Sequence, residues 1–172
     1  LYAYRAAKPW QAPTSEVYLL QRAGMVLPVE EHTALVREYL AAAEQLQRVK
    51  RDNARVVLTG SFCEQPPLAL IKSIEMAGCY VVDDDFMLVG RWLLDEVPTD
   101  GDPLAELSKA FLHRSATTAA KYEATREEKG VFLMKQVKTR GAEGVIFAAP
   151  SFCDPALLER PMLQDVLSKH GI

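Results

Sequence analysis

The chain has 172 residues, of which 49% are hydrophobic and 25% charged, with a net charge of -3. That balance excludes the basic face nucleic-acid binding requires and fits an ordinary globular protein. No run of about 18 apolar residues occurs, which excludes a membrane-spanning helix.

Residues 1–13 are aromatic and interrupted by Pro9 and Pro13, and they read as irregular. The opening "LYAYRAAKPW" has neither a starting methionine nor a signal-peptide pattern, so a cytoplasmic protein cut from a longer one is expected. "TSEVYLLQRAGM" predicts a short helix, with Thr14 or Ser15 as its cap and Gly24 as its stop. After Pro28, the residues Leu35, Val36, Tyr39, Leu40, Ala43 and Leu46 recur at helical spacing. The spacing predicts one long helix with Glu30 and Glu31 in its first turn and Arg48 to Arg51 in its last, as the helix dipole prefers.

The middle of the chain changes character. "ARVVLTG" is a short β-branched apolar run ending in Gly60, the pattern of a buried parallel strand. "PPLALIKSIEMAG" follows as a helix, with Pro66 or Pro67 in its first turn and Gly78 at its end. "CYVVDDD" is a second strand. "DPLAELSKAFLHR" and "TTAAKYEATREEKGVFLMKQVKTRG" are helices, the second with a kink near Gly130. "AEGVIFAAP" is a third strand, and "DPALLERPMLQDVLSKHG" closes as a helix with Asp154 as cap and Pro155 at its first position. Strands alternating with helices predict an α/β fold with a doubly wound parallel sheet. The expected division is an N-terminal helical segment over residues 1–53 and an α/β domain over 54–172. At least three strands belong to it, with a fourth expected beyond "LSKHGI", so the domain reads as truncated.

"TGSFCEQPP" and "APSFCDPAL" nearly repeat each other. Each follows a strand and precedes a helix, which puts Cys63 and Cys153 at the carboxyl edge of the sheet. Ligands of open α/β sheets bind at that edge, where the strand order reverses. In the order 2-1-3 the first and third strands are neighbours, so both cysteines face one crevice. Two readings stay open for them: packing, or thiolate ligands favoured by a helix N-terminus. Two thiolates do not complete a zinc or iron–sulfur site. No CxxC spacing is present, and His32, His113 and His170 fall in helical patterns. Cys79 enters its strand at the opposite edge and reads as a small buried hydrophobe. Asp83 to Asp85 end the second strand; they bind a metal, a ribose or a substrate group, cap the next helix, or pair with Arg91. No P-loop, GxGxxG or GxSxG is found.

The stretches "RVVLTGSFCEQPPLALIKSIEMAGCYVVDDDFMLVGRW" and "GAEGVIFAAPSFCDPALLERPMLQDVLSKHGI" resemble the benzoyl-CoA reductase and 2-hydroxyacyl-CoA dehydratase family. The carrying residues are Thr59 to Ser61, Asp84 and Asp85 with Arg91 downstream, and "GVI" leading to Cys153, Asp154 and Pro155. The resemblance spans roughly Pro28 to Ile172 and is greatest to B- or C-type catalytic subunits of ATP-dependent benzoyl-CoA reductase. It implies flavodoxin-like α/β domains and a [4Fe–4S] cluster held by three cysteines, two from a first domain and one from a second. Cys153 matches the second-domain ligand, and the first domain is expected to lie outside this chain. Cys63 is not among the family's usual three and remains a candidate ligand or neighbour of the cluster. Met87 stands where many relatives carry cysteine. The implied partners are a homologous catalytic subunit in a heterodimer, an ATP-hydrolysing activator, ferredoxin and an acyl-CoA substrate. The implied activity is reduction of the benzoyl-CoA ring, with hydroxyacyl-CoA dehydration or a non-catalytic assembly role as alternatives. The part by itself is expected to be inactive.

Overall fold

The computed structural model describes residues 1–60, 66–85, 95–115 and 130–172. In chain order they form α1 (Tyr2–Ala7), α2 (Thr14–Ala23), α3 (Val29–Gln45), β1 (Ala54–Thr59), α4 (Leu68–Met76), β2 (Cys79–Asp84), α5 (Pro103–His113), α6 (Val131–Arg140), β3 (Gly144–Phe147) and α7 (Asp154–Lys169). The strands form one open sheet in the order β2-β1-β3. β1 and β2 are parallel. β3 runs the same way: Glu143 N–H donates to the Arg55 carbonyl, and Ala148 N–H to the Thr59 carbonyl, so both strands advance together. This is the sheet of a flavodoxin-like doubly wound α/β fold, with the expected order.

Burial follows from composition. Val57 and Leu58 of β1 and Val81 and Val82 of β2 are almost wholly buried, as continuous β-branched runs in parallel strands must be. The pairing carries one irregularity. Val56 faces Val81 but Val57 faces Asp83, so β2 holds one extra residue there. Such a bulge re-aims the side chains that follow it. β3 is only half-buried along its length.

The chain divides into two compact units. The first comprises Leu1–Leu58, Pro66–Asp84 and Gln136–Ile146. Its core gathers Val17, Tyr18 and Leu20 of α2, Ile71 and Ile74 of α4, and the bodies of β1 and β2. Arg55 ties its helix ends together. Its guanidinium donates to the carbonyls of Ala6 (2.7 Å), Arg140 (2.6 Å) and Gly141 (2.9 Å), at the ends of α1 and α6, where helix geometry leaves carbonyls unpaired. The second unit comprises Thr59–Gln65, Asp85–Lys135 and Phe147–Ile172. Within it Asp102 caps α5 by accepting the Ala105 N–H at 2.8 Å, and Pro103 fills the first helical position.

Several local expectations change. Residues 2–7, read as irregular, are helical. Thr14 does not cap α2: Pro13 holds that position and the Thr14 hydroxyl donates to the Val81 carbonyl at 2.9 Å, joining helix to strand. α3 stops at Gln45, before Arg48 to Arg51. Arg48 instead pairs with Glu16 at 2.7 Å and donates to the Gln11 carbonyl, and that tertiary pairing overrides helix propensity. Cys153, not Asp154, is the N-cap of α7. Of the region around the expected kink, only residues from 130 on are described, and α6 begins at Val131.

Candidate functional site

The strand exits at the carboxyl edge are the natural place to look, and one buried acid organises them. Asp85, just past β2, is 5% exposed. One of its carboxylate oxygens, Oδ2, accepts both the Thr59 hydroxyl at 2.8 Å and the Gly60 N–H at 2.9 Å. Thr59 and Gly60 form the exit of β1. The Thr59 carbonyl accepts the Ala148 N–H at 2.8 Å, from the exit of β3. Gly60 has φ +115°, and a Cβ there would lie 2.6 Å from the Ala148 carbonyl oxygen. Only glycine satisfies both the dihedral and that approach. Gly60 and Ala148 therefore close the gap between the first and third strands, and any ligand at the order reversal sits outside them.

Cys153 follows from β3 through a tight turn. Its own N–H donates to the Pro150 carbonyl at 3.2 Å, and its carbonyl accepts the Leu157 N–H in the first turn of α7. Phe152 adopts φ 65° to make this reversal, a left-handed conformation that costs a bulky residue about 1–2 kcal/mol. Strain of this kind clusters at functional sites. Phe152 itself is 94% exposed, whereas Cys153 is 6% exposed and outside any disulfide. The thiol is buried at the N-cap position of a 16-residue helix. It fits one corner of an iron–sulfur cluster; the other corners need ligands beyond the described residues. Among the described residues no group of three His, Cys, Asp or Glu side chains is arranged to hold a metal ion.

The other predicted residues separate. Cys63, Met87 and Arg91 lie outside the described residues. Cys79 starts β2 opposite Ala54, at the amino edge as expected, but it is half-exposed and not a buried hydrophobe. Its place at the first strand residue, before the apolar run begins, accounts for the exposure. The three aspartates split by task. Asp84 is held by the wholly buried Arg5, Nη1 to Oδ2 at 2.6 Å, and by the Tyr2 hydroxyl at 2.8 Å. Asp83 accepts from Arg140 Nε at 2.8 Å and lies 3.9 Å from Arg5. Asp85 serves the β1 exit.

Arg5, Tyr2 and Arg140 were invisible to sequence reasoning. For Tyr2 and Arg5 the only signal is the spacing of Tyr2, Arg5 and Ala6 in "YAYRAA", too short a stretch for periodicity to carry weight. Burial pulls the Arg5 guanidinium toward neutrality, but the Asp84 carboxylate outweighs it and leaves the pKa above its ordinary value. Burial, and then the same carboxylate, push the Tyr2 hydroxyl well above the usual tyrosine range. Burial and the Glu16 carboxylate do so for Tyr39. Above a pH of about 10 the unfolded chain's tyrosines ionise while these two hold their protons, so the unfolded state binds fewer protons and stability falls. Below that pH their contribution is fully present. Urea midpoints taken from pH 8 to 11 should therefore decline, and Tyr2→Phe should flatten the decline while lowering stability at pH 8. A variant curve parallel to wild type would refute the assignment to Tyr2.

No described helix is long and apolar enough to cross a membrane. The model of the family "2-hydroxyglutaryl-CoA dehydratase, D-component" matches residues 1–172. The chain is 61% identical over 172 residues to the C-subunit of benzoyl-CoA reductase from Thauera aromatica, covering 100% of this chain and 45% of that protein. It is 26% identical over 160 residues to the (R)-phenyllactyl-CoA dehydratase beta subunit of Clostridium sporogenes, covering 93% of this chain and 41% of that one. It is 28% identical over 144 residues to the beta subunit of lactoyl-CoA dehydratase from Anaerotignum propionicum, covering 83% and 37%. The chain thus spans less than half the length of these curated relatives. A family match over every residue, on a parallel sheet with the expected strand order, leads to one conclusion: the chain belongs to the 2-hydroxyglutaryl-CoA dehydratase D-component family.

Proposed function

We propose that the chain is part of a catalytic subunit of a benzoyl-CoA reductase, which reduces the aromatic ring of benzoyl-CoA. The observation that carries the reading is 61% identity, across all of this chain, to a protein named as the C-subunit of that enzyme. The site supports it through a buried thiol at a helix N-terminus on the carboxyl edge of the sheet. In this reading residues 54–172 are the cluster-bearing α/β domain, Cys153 is one ligand of a [4Fe–4S] cluster, and Cys63 is a second candidate. The cluster, when bound, supplies single low-potential electrons. The chain's own part is to hold the Cys153 thiolate at the N-terminus of α7, to exclude water around it by burial, and to shape the edge through Gly60 and Asp85. The partners are a homologous subunit, an ATP-hydrolysing activator and ferredoxin, in the cytoplasm.

Cys153→Ser in the complete subunit is expected to remove one cluster, read as iron and sulfide content and the visible spectrum after anaerobic reconstitution. Unchanged iron would overturn the assignment. A second reading, a 2-hydroxyacyl-CoA dehydratase subunit, is favoured by the resemblance to two dehydratase beta subunits. Product analysis separates the two: a reduced ring from benzoyl-CoA, or loss of water from a hydroxyacyl-CoA.

A further inference from the structure

One peptide plane links three strand exits. The Thr59 carbonyl and the Gly60 N–H belong to the same peptide unit, which is planar and turns as one body. On one side its N–H donates to Asp85 Oδ2 at 2.9 Å, and the Thr59 hydroxyl donates to that same oxygen at 2.8 Å. On the other side its carbonyl accepts the Ala148 N–H at 2.8 Å, one residue past the end of β3. Asp85 is buried, and hydrogen bonds to an ionised acceptor are about twice as strong as neutral ones. The grip of Asp85 on the N–H therefore sets the direction of the carbonyl that holds Ala148. Gly60, with no room for a side chain against the Ala148 carbonyl, removes the remaining slack. Among the described residues, the Ala148 N–H makes the last backbone hydrogen bond to β1 before the chain turns toward Cys153. Two residues after Ala148, the Pro150 carbonyl accepts the Cys153 N–H and closes that turn. The turn that sets the buried Cys153 at the N-cap of α7 is thus anchored to the sheet through Ala148.

We propose that Asp85 is a positioning residue for Cys153: by holding the Thr59–Gly60 peptide plane it fixes the exit of β3 and hence the turn that carries the thiol. The proposal rests on the reading of Cys153 as a cluster ligand and deepens it. Its test does not depend on iron. In the complete subunit, kept anaerobic and iron-free, alkylation of Cys153 by iodoacetamide is timed by peptide mass spectrometry. Hydrogen–deuterium exchange is followed over residues 147–153 and over α5, which lies in the same compact unit and reports its general loosening. A buried thiol reacts, and a bonded amide exchanges, only as often as its segment opens.

Asp85→Ala should raise the Cys153 rate and the exchange over residues 147–153 by about tenfold or more, the factor implied by losing a hydrogen bond to a charged group. Exchange over α5 should stay as it is. Asp85→Asn should bring both back to within about threefold of wild type, because its amide oxygen has two lone pairs and accepts both donors. Thr59→Val removes the hydroxyl and leaves the peptide plane in place; it should raise the Cys153 rate, and it decides the test by the same criteria if Asp85→Ala does not fold. A Cys153 rate unmoved by Asp85→Ala would overturn the proposal, as would an equal rise over α5, which denotes general destabilisation. An Asp85→Asn variant as altered as Asp85→Ala would also overturn it. Failure of the cluster reading looks different: the reconstituted wild-type subunit would bind no iron, and the alkylation and exchange results would stand independently.

Discussion

Arg5→Met is expected to lower stability by about 3–5 kcal/mol, the cost of leaving a buried carboxylate without its cation. Both side chains of the Arg5–Asp84 pair are 0% exposed, with Nη1 2.6 Å from Oδ2. Methionine keeps most of the side-chain volume, so the loss is electrostatic and not a cavity. Asp84 would retain the Tyr2 hydroxyl at 2.8 Å, and Asp83 would retain Arg140. Arg5 is not perfectly satisfied: among the described residues its buried Nε and Nη2 find no hydrogen-bond partner, although Nη2 lies 3.9 Å from Asp83. The pair's net worth is therefore well below the cost of breaking it. Hence Arg5→Met/Asp84→Asn should recover most of the loss. Urea denaturation of the four proteins in this cycle checks the expectation through the interaction energy. An Arg5→Met variant within about 1 kcal/mol of wild type, the range of an exposed pair, would refute it.

The same pair explains what was legible beforehand. β1 and β2 could be read because each is an apolar β-branched run bounded by a glycine, and such a run in an alternating α/β order has few other meanings. The strand order and the carboxyl-edge position of Cys153 followed from that. α1 could not be read: six residues are too few to stand as a helix by themselves, and it is held by a contact 79 residues away in sequence. The end of α3 escaped for the same reason, since Arg48 is drawn off to Glu16, 32 residues away. The aspartate run reads in the sequence as one feature with one fate. Its division depended on the extra residue in β2 and on partners from α1, α6 and the β1 exit, none of which leaves a local mark in "CYVVDDD".

Gly60→Ala and Gly78→Ala should differ sharply, although both replace a glycine of positive φ. Gly78 has φ +90°, and a Cβ there would meet nothing within 4 Å among the described residues. Alanine at that position meets only the conformational penalty, about 1–2 kcal/mol. Gly60 has φ +115°, and its new methyl would lie 2.6 Å from the Ala148 carbonyl oxygen and 2.8 Å from the carbonyl carbon. Those are backbone atoms of a neighbouring strand end, which cannot swing aside as a side chain can. Relief requires β1 and β3 to part at their exits, stretching the Ala148 N–H bond to Thr59. Overpacking adds about 1–3 kcal/mol to the same conformational penalty, so Gly60→Ala should cost roughly 2–5 kcal/mol. The measurement is urea denaturation of both variants beside wild type. Equal losses would mean that the close approach of Gly60 to Ala148 does not constrain the edge. A larger loss at Gly60 would identify that approach as the feature that closes the sheet where its strand order reverses.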